Sequence, residues 1–328
     1  MKIDKLLYTC ILLLSSAIFI SCDDDKEVND FTVDKETMEI LIGDRSVITA
    51  NGIPSNDVES SAFEWSSADE SIATVTEWGV VQGVEEGETD IIVKFGSVSK
   101  TIHVVVKDPI VLPDEVGSWR FDDPSNILKA TLGKDLQIGA NSGTPSLSDF
   151  PSVSGPTGQE GNKAIQVEKG FFLKMEHGIK PKEGKDVVTE YTILIDFKVP
   201  ALDGWRSFIQ TNPENNDDAE VFMKTEGQIG VGSTGYTSSP VVKAGQWQRL
   251  ILSYKLGGDG WIKYYLDGVE ILAKTDDERF AMVSTLVLFG DNDGEDAVMD
   301  VSEVMIWDKA LDDNQMKKAN RVVGKDRY

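Results

Sequence analysis

The sequence predicts an all-β protein made of two β-sandwich domains. The clearest evidence is the stretch from Gln246 to Leu272, where apolar runs flank the turn Gly257–Gly260 and a second turn, Asp267-Gly268, follows. Strand-forming residues on either side of glycine-rich turns are typical of hairpins, so three consecutive antiparallel strands are expected. Short apolar segments separated by turns recur along the chain, and only the C-terminal tail has a helical pattern.

Alternation along this hairpin predicts two different faces, because successive side chains of a strand point to opposite sides. One face is apolar and carries Leu250, Leu252, Tyr254, Ile262, Tyr264 and Leu266. The opposite face is mixed and carries Arg249, Ile251, Ser253, Trp261, Lys263 and Tyr265. We therefore expect the first face to enter the core of a sandwich and the second face to lie outside it.

The first 21 residues have the features of a secretory signal peptide. Their apolar run, Leu6–Ile20, is shorter than the ~20 apolar residues that a membrane span needs. It ends in Ser21-Cys22, which resembles a bacterial lipobox with Phe19 in place of the usual Leu. That resemblance implies cleavage before Cys22 and lipidation of this cysteine. The acidic tether that follows, residues 22–29, resembles the surface-export signal of Bacteroidota-type lipoproteins.

The N-terminal segment predicts where the protein is located, with one alternative. The lipobox-like end predicts an outer-membrane lipoprotein that contacts the membrane only through its lipid anchor and faces the cell exterior, because three acyl chains bury enough CH₂ groups for stable anchoring. The alternative is an ordinary signal peptide that is cut nearby. In that case Cys22 has no role and the acidic run is only a solvated tether.

Composition argues against several functional classes. The chain has 32 basic and 56 acidic residues and a net charge of −24, so its surface repels the phosphates of nucleic acids. Its two cysteines, Cys10 and Cys22, both precede the folded region, which is therefore expected to lack disulfides, cysteine nucleophiles and thiolate metal sites. Two histidines, His103 and His177, are too few for a histidine-rich metal centre. No phosphate-binding or dinucleotide motif occurs.

Short motifs occur in a fixed order within the first predicted domain, residues 30–108. They are Trp65-Ser66-Ser67, Ser71-Ile72-Ala73-Thr74-Val75, Gly79-Val80-Val81-Gln82-Gly83-Val84 and Gly87-Glu88-Thr89-Asp90-Ile91. Together they resemble the group 2 bacterial Ig-like domain, which implies a small sandwich with Trp65 in its core. Such domains are spacers or adhesive modules, and a position before a larger domain favours a spacer. A linker with two prolines, residues 109–115, follows.

A second set of motifs covers nearly all of the second predicted domain, residues 116–328. They are Trp119-Arg120-Phe121-Asp122, Tyr191-Thr192-Ile193, Gly245-Gln246-Trp247-Gln248-Arg249-Leu250, Tyr265-Leu266-Asp267-Gly268 and Asp300-Val301-Ser302-Glu303-Val304-Met305-Ile306-Trp307. Together they resemble the laminin-G-like branch of the concanavalin A-like lectin/glucanase superfamily. The resemblance implies a jelly-roll sandwich with Trp119, Trp247 and Trp307 in its core.

The second domain is predicted to end in a short helix. Asp312 or Asp313 can cap its start, and Gly324 stops it. The predicted fold is thus a small Ig-like β-sandwich, then a larger concanavalin A-like jelly roll with a short C-terminal helix.

An acidic loop suggests a calcium site. Residues 291–296 alternate oxygen donors around a glycine, which suits Ca²⁺ because this cation takes 6–8 oxygen ligands. Laminin-G-like domains often hold one calcium at the rim of the sandwich. The predicted ligands are Asp291, Asp293, Asp296, Asp122 and Asp300. The alternative is a solvated turn, because Asp, Asn and Gly are also turn formers.

The segment Val298–Glu303 bears on catalysis. Glucanases of this superfamily carry Glu-x-Asp-x-x-Glu on a strand, and retaining hydrolysis needs two carboxylates ~5–5.5 Å apart. Asp300 and Glu303 match that motif, whereas Val298 occupies the nucleophile's place. We therefore expect no catalytic residue and a protein that is not an enzyme. The alternative is a glycoside hydrolase or lyase with a site that its sequence does not reveal.

Aromatic residues outside the motifs are the candidates for carbohydrate binding, because Trp and Tyr rings stack on the apolar faces of sugars. They are Trp205, Tyr236, Trp261 and Tyr265. Trp261 and Tyr265 are four residues apart on one predicted strand, about 13 Å at ~3.3 Å per residue. The alternative is that loops cover that face.

The expected ligand is a neutral glycan, because the acidic protein would repel an anionic chain unless calcium bridged the two. Taken together, the sequence predicts a cell-surface lipoprotein whose lectin-like domain binds carbohydrate and is held off the membrane by an Ig-like spacer. A third possibility besides the enzyme is an assembly component that contacts another surface protein.

Overall fold

The computed structural model describes the chain in four stretches. They are residues 30–53, 62–214, 219–291 and 295–324. The predicted signal peptide, Cys22, the tether and Asp293 lie outside them. The chain divides into two compact units between Pro109 and Ile110. Their regular structure is almost wholly β-strand, which confirms the predicted all-β class. Within the described residues, no helix has the length and apolar character of a membrane span.

The first domain is a small sandwich with one apolar core. Its strands are β1 (Asp30–Val33), β2 (Thr37–Leu41), β3 (Arg45–Val47), β4 (Ala50–Ile53), β5 (Glu64–Ser67), β6 (Ala73–Val75), β7 (Val80–Gly83), β8 (Gly87–Phe95) and β9 (Val98–Lys107). The order β2-β9-β8-β5 forms one sheet, β3-β7-β6 a second, and β1 pairs with β4. Trp65 is partly buried against the core, as expected of a structural residue.

Strands β3 and β4 are separated by a short break in the first domain. The chain leaves β3 after Val47 and enters β4 at Ala50. Between them the backbone N–H of Thr49 donates to the Asp34 carboxylate at 2.7 Å instead of to a neighbouring strand. A side-chain acceptor thus ends the ladder where the apolar pattern continues.

The second domain is the larger sandwich. Its strands are β10 (Gly117–Trp119), β11 (Gln137–Ala140), β12 (Ser152–Ser154), β13 (Lys163–Val167), β14 (Phe171–Glu176), β15 (Glu190–Lys198), β16 (Arg206–Gln210), β17 (Val221–Met223), β18 (Ile229–Val231), β19 (Gly235–Tyr236), β20 (Trp247–Lys255), β21 (Trp261–Leu266), β22 (Val269–Thr275), β23 (Thr285–Leu288) and β24 (Met299–Trp307). The larger sheet has the order β12-β13-β24-β15-β20-β21-β22, with β10 also paired to β24. The smaller has the order β11-β14-β23-β16-β17-β18-β19.

The predicted hairpin is confirmed in register and in facing. Leu252 lies opposite Tyr264, and the neighbouring apolar pairs follow in step. All six side chains of the predicted apolar face belong to the core that the two sheets share. The second turn has φ of 50° at Asp267 and 81° at Gly268, the positive angles that an Asp-Gly hairpin turn requires.

The other face of the larger sheet is covered by the C-terminal helix α1 (Asp313–Val322). As predicted, Asp312 caps the helix: its side chain accepts from the backbone N–H of Gln315. Gly324 follows with φ of 62°. Helix residues Met316 and Ala319 join a second apolar cluster with sheet residues. Those residues are Leu194, Ile251, Tyr265, Met305 and Trp307. The central strands are therefore buried on both faces.

Of the three tryptophans that were predicted to lie in the core, two are buried there and one is not. Trp119 and Trp307 are buried, and their indole N–H groups donate to the carbonyls of Lys134 and Pro113. Trp247 is only partly buried because it lies at the start of β20, where the Lys198 ammonium stands 5.1 Å from its ring centroid. The prediction is thus wrong for Trp247.

Candidate functional site

Trp205 and Tyr236, two of the predicted binding aromatics, come together on the smaller sheet. Trp205 immediately precedes β16 and Tyr236 ends β19, and their ring centroids are 6.1 Å apart with the planes at 82°. Trp205 is 38 % exposed, so part of its ring is available to a ligand. Edge-to-face packing of this kind holds both rings in fixed orientations.

Two further side chains hold this aromatic pair. The Lys224 ammonium lies 4.1 Å from the Tyr236 ring centroid and 6.0 Å from that of Trp205, which are cation–π distances. Phe222 packs edge-on against Trp205 at 6.2 Å. We refer to Trp205, Tyr236 and Lys224 together as the aromatic platform. Sequence reasoning did not identify Lys224, because a lysine that directly follows a short strand carries no distinguishing pattern.

A cleft of about 350 Å³ opens beside Trp205. Its walls are Lys169, the segment Asp203–Trp205 and the segment Glu295–Val298. This volume lies within the ~300–1,000 Å³ of small-molecule sites. The walls combine one exposed indole with carboxylates and an ammonium, a mixture that suits a ligand with apolar faces and hydroxyl groups.

The buried side chain of Arg206 joins the two walls of the cleft. Its Nε donates to the carbonyl of Val298 at 2.9 Å and its Nη1 to the carbonyl of Gly204 at 3.0 Å. Its Nη2 donates to Asp203 at 2.8 Å, and this hydrogen bond lowers the pKa of that carboxyl. The three bonds fix the position of the loop that presents Trp205.

Two predicted calcium ligands lie at the same end of the sandwich. Asp291 and Asp296 are both buried. Asp296 Oδ2 accepts from Asn141 Nδ2 and from the backbone N–H of Gly170, each at 2.9 Å. Its Oδ1 has no hydrogen-bond partner among the described residues. Burial raises the pKa of Asp296. A buried carboxylate oxygen without a donor is the kind of group that a cation satisfies.

The other two predicted ligands are held by their own partners. The first and last strands of the domain do pair, with Trp119 opposite Val304. However, Asp122 accepts from the backbone N–H of Lys163, and Asp300 pairs with Lys198 Nζ at 2.9 Å. Asp293 lies outside the described residues, and among those described no group of three or more ligand-type side chains could hold a metal ion.

Glu303, the second carboxylate of the glucanase-like segment, belongs to a buried charge cluster. It lies 3.1 Å from Arg120 Nε and 3.6 Å from Arg249 Nη2. Arg249 also donates to both oxygens of Asp196 at 2.6 Å. Val298 immediately precedes β24, and Glu303 lies five residues further along, so Glu303 is roughly 16 Å from the cleft. Its carboxylate neutralises arginines beneath α1.

Tyr265 does not share a platform with Trp261. Its ring is 2 % exposed in the cluster under α1, so it presents no surface to a sugar. Trp261 is partly buried, and its indole N–H donates to Ser253 Oγ at 3.2 Å. The expectation of two open rings 13 Å apart is therefore corrected. Ile251 lies on the same face, and an apolar residue there indicates from the sequence that the face is covered.

Comparisons with protein families agree with this architecture. Residues 27–106 match the model of the bacterial Ig-like domain (group 2), and residues 178–317 match that of the concanavalin A-like lectin/glucanases superfamily. The chain carries one domain of each kind. No curated protein matches the chain. The larger sandwich is called the concanavalin A-like domain below.

Solved structures with similar folds include three at low identity. The receptor-binding domain of botulinum neurotoxin type G is 10 % identical over 64 % of this chain and 51 % of its own, with a TM-score of 0.44. A Trypanosoma rangeli sialidase, in complex with sialic acid, is 10 % identical over 76 % and 43 %, with a TM-score of 0.47. Domain 4 of a Geobacillus stearothermophilus extracellular arabinanase, in complex with arabinotriose, is 17 % identical over 62 % and 97 %, with a TM-score of 0.40.

The matches thus span only about half the length of the neurotoxin domain and less of the sialidase. TM-scores below 0.5 at these identities carry no inference about function. The function proposed below therefore rests on the geometry of the site and on the family model.

Proposed function

We propose that the concanavalin A-like domain binds a neutral glycan at the aromatic platform and the cleft beside it. The observation that carries this proposal is the juxtaposition of the exposed Trp205 ring with a cleft whose walls bear carboxylates and an ammonium. The match to a superfamily that includes lectins supports a carbohydrate ligand. The net charge of −24 favours an uncharged chain.

Recognition would combine stacking with hydrogen bonding. The exposed face of Trp205 takes the apolar face of one sugar ring, since both surfaces lose water on contact. Asp203 and Glu295 accept from sugar hydroxyls, while Lys169 donates to them. The cleft is open to solvent, so much of the sugar stays hydrated and affinity is expected to be weak for a single unit.

The test is a glycan array followed by calorimetry on the full chain. Trp205→Ala should weaken binding of the selected glycan by tenfold or more, because a lost stacking contact of about 1.4 kcal/mol corresponds to a factor of ten. The melting temperature should change little, since the ring is partly exposed. Trp261→Ala is the matched control, a partly buried indole on the other sheet, and it should leave binding unchanged. Full binding by Trp205→Ala would exclude the platform.

We propose further that binding is not followed by hydrolysis. Two features support this: Val298 stands where the superfamily's nucleophile would be, and Glu303 is ion-paired beneath α1. The glycan recovered from the same incubations should show no new reducing ends. Their appearance would favour a glycoside hydrolase, and an eliminated, unsaturated product would favour a lyase.

We also propose a Ca²⁺ site at Asp291 and Asp296. The support is the buried Asp296 Oδ1, which lacks a partner among the described residues, and the burial of Asp291, whose Oδ1 accepts from the backbone N–H of Glu295. Calcium added to chelator-treated protein should raise the melting temperature, since binding to the native state at 100 times Kd adds about 2.7 kcal/mol of stability.

In the calcium experiment, Asp296→Asn should abolish the shift, and Asp300→Asn is the control that should retain it. Loss of the shift only in Asp300→Asn would move the site to the first and last strands. A melting curve that does not respond to millimolar calcium would contradict the proposal.

For location, we propose an outer-membrane lipoprotein anchored through Cys22 and facing the exterior, with the Ig-like domain as a spacer. The lipobox-like sequence and the acidic residues that follow it support this. Cys22→Ser should move the protein from the membrane fraction to the soluble fraction, because the acyl chains supply the membrane affinity. A variant that still sediments with membranes would exclude acylation as the anchor. Protease added to intact cells should digest the domains if they face outward.

A further inference from the structure

A second pocket lies at the opposite end of the concanavalin A-like domain. Strands β14 and β24 both run from the Trp205 cleft to this pocket. Its lining includes Glu176, the last residue of β14, and Asp308, the residue after β24. The length of β24 alone separates the two sites by about 26 Å, at ~3.3 Å per residue. A ligand in one site therefore does not touch the other.

This pocket has the size and wall composition of a small-molecule site. It encloses about 400 Å³, and Val116, Ile179 and Val188 contribute apolar side chains to its lining. That volume falls in the ~300–1,000 Å³ range of ligand pockets. Charged side chains complete the lining, so the pocket combines an apolar surface with hydrogen-bonding groups.

The charge of this pocket differs from that of the protein as a whole. Among the described residues, its lining includes Lys134, Lys180, Lys182 and Lys309. The carboxylates are Glu176, Glu190 and Asp308. Four cations against three anions leave one net positive charge, in a chain whose net charge is −24. The local field therefore favours an anion.

Ion pairs within the lining identify the group that is available to a ligand. Lys134 pairs with Glu176, and Lys182 pairs with Glu190. Asp308 and Lys309 lie within 3.8 Å of each other. Lys180 forms no ion pair with another described residue, and it is exposed. Its ammonium is the cation that an incoming carboxylate would meet first.

The turn that carries Lys180 is held by a buried histidine. The ring of His177 accepts at Nδ1 from the backbone N–H of Ile179 at 3.0 Å, and its Nε2 donates to the carbonyl of Val283 at 2.6 Å. This pattern requires the neutral ring, and burial favours it by lowering the pKa of His177. The turn is thus fixed to the segment that leads into β23 of the smaller sheet, which limits the positions available to Lys180.

We propose that this pocket binds a sugar that carries one carboxylate, such as a uronic acid residue. The Lys180 ammonium would pair with the carboxylate, while Glu176 and Glu190 accept from the hydroxyl groups. One carboxylate matches the one ammonium of the lining that forms no ion pair with another described residue. The proposal does not depend on glycan binding at Trp205.

Glucuronate and glucose are the probes that test it, titrated into the full chain at low and at physiological ionic strength. Glucuronate should give saturable binding with a Kd in the millimolar range, whereas glucose should not bind here. Added salt should weaken the glucuronate interaction, because the Debye length falls from about 30 Å at 0.01 M to about 8 Å at physiological ionic strength.

The decisive variants are Lys180→Glu and Lys185→Glu. Lys180→Glu should weaken glucuronate binding at least tenfold. Lys185→Glu makes the same change of charge at an exposed position outside the lining, and it should have little effect. Trp205→Ala should leave glucuronate binding intact.

Three results would overturn the proposal. They are no saturable binding of glucuronate, equal losses in the two lysine variants, and loss of binding in Trp205→Ala. Failure at Trp205 for neutral glycans would leave this pocket unaffected, so the two proposals fail independently.

Discussion

Replacing Arg249 by Met is expected to lower the free energy of unfolding of the concanavalin A-like domain by roughly 3–5 kcal/mol, the range for breaking a buried ion pair. The guanidinium is buried and donates to both oxygens of Asp196. It also donates to the carbonyls of Ala319 and Asn320 in the last turn of α1 and to that of Val323, which follows the helix. Its removal leaves a buried carboxylate without these donors and the end of the helix without its cap.

Urea unfolding followed by tryptophan fluorescence measures this loss. Arg120→Met is the graded control, because Arg120 pairs with Glu303 but its side chain is 35 % exposed, so a smaller loss of about 1 kcal/mol is expected. Arg249→Lys should fall between the two, since lysine keeps the charge but not the paired hydrogen bonds. Equal losses in both Met variants would contradict the central role of Arg249.

The second large effect is expected from Met316→Asp in α1. Met316 is fully buried in the cluster beneath the helix, and the substitution removes its apolar contacts and places a carboxylate among them. Loss of a buried Met side chain alone costs about 2–5 kcal/mol, and the buried charge adds to this. We therefore expect the helix to detach, with exposure of Tyr265 and Trp307 to solvent.

Limited proteolysis and tryptophan fluorescence report that detachment. Cleavage near the C-terminus should become fast, and the total tryptophan emission should shift to longer wavelength as Trp307 becomes exposed. Asn314→Asp is the matched control: it makes the same change of charge on the exposed side of the first helical turn, where an acidic residue favours the helix. Slow cleavage in Met316→Asp would mean that the cluster tolerates the charge.

The hairpin shows how far the sequence alone predicts this fold. Its strict alternation and its Asp-Gly turn specify strands, register and core face locally, and all three are confirmed. Short strands such as β12 and β19 have no comparable sequence pattern. Two or three residues hold too little pattern, and these strands exist because a longer neighbour supplies their hydrogen bonds.

The candidate site was predictable only in part. Trp205 and Tyr236 were named as binding residues, but their contact depends on the order β16-β17-β18-β19, which the sequence does not state. Tyr265 was expected to be open because hairpin alternation gives the face of a side chain but not what covers that face. The helix that covers it follows much later in the chain, and its docking depends on Arg249 and on apolar residues of several strands.

The position of β24 within the larger sheet has a consequence for folding kinetics. This last strand pairs with β10, β13 and β15, so the centre of the sheet is completed by residues near the end of the chain. Closing such distant contacts costs chain entropy before any pairing energy is gained, and folding rates fall as contact order rises. The sheet therefore cannot assemble strand by strand during synthesis. Until Met299–Trp307 is available, the edges of β13 and β15 that pair with it remain open to mispairing.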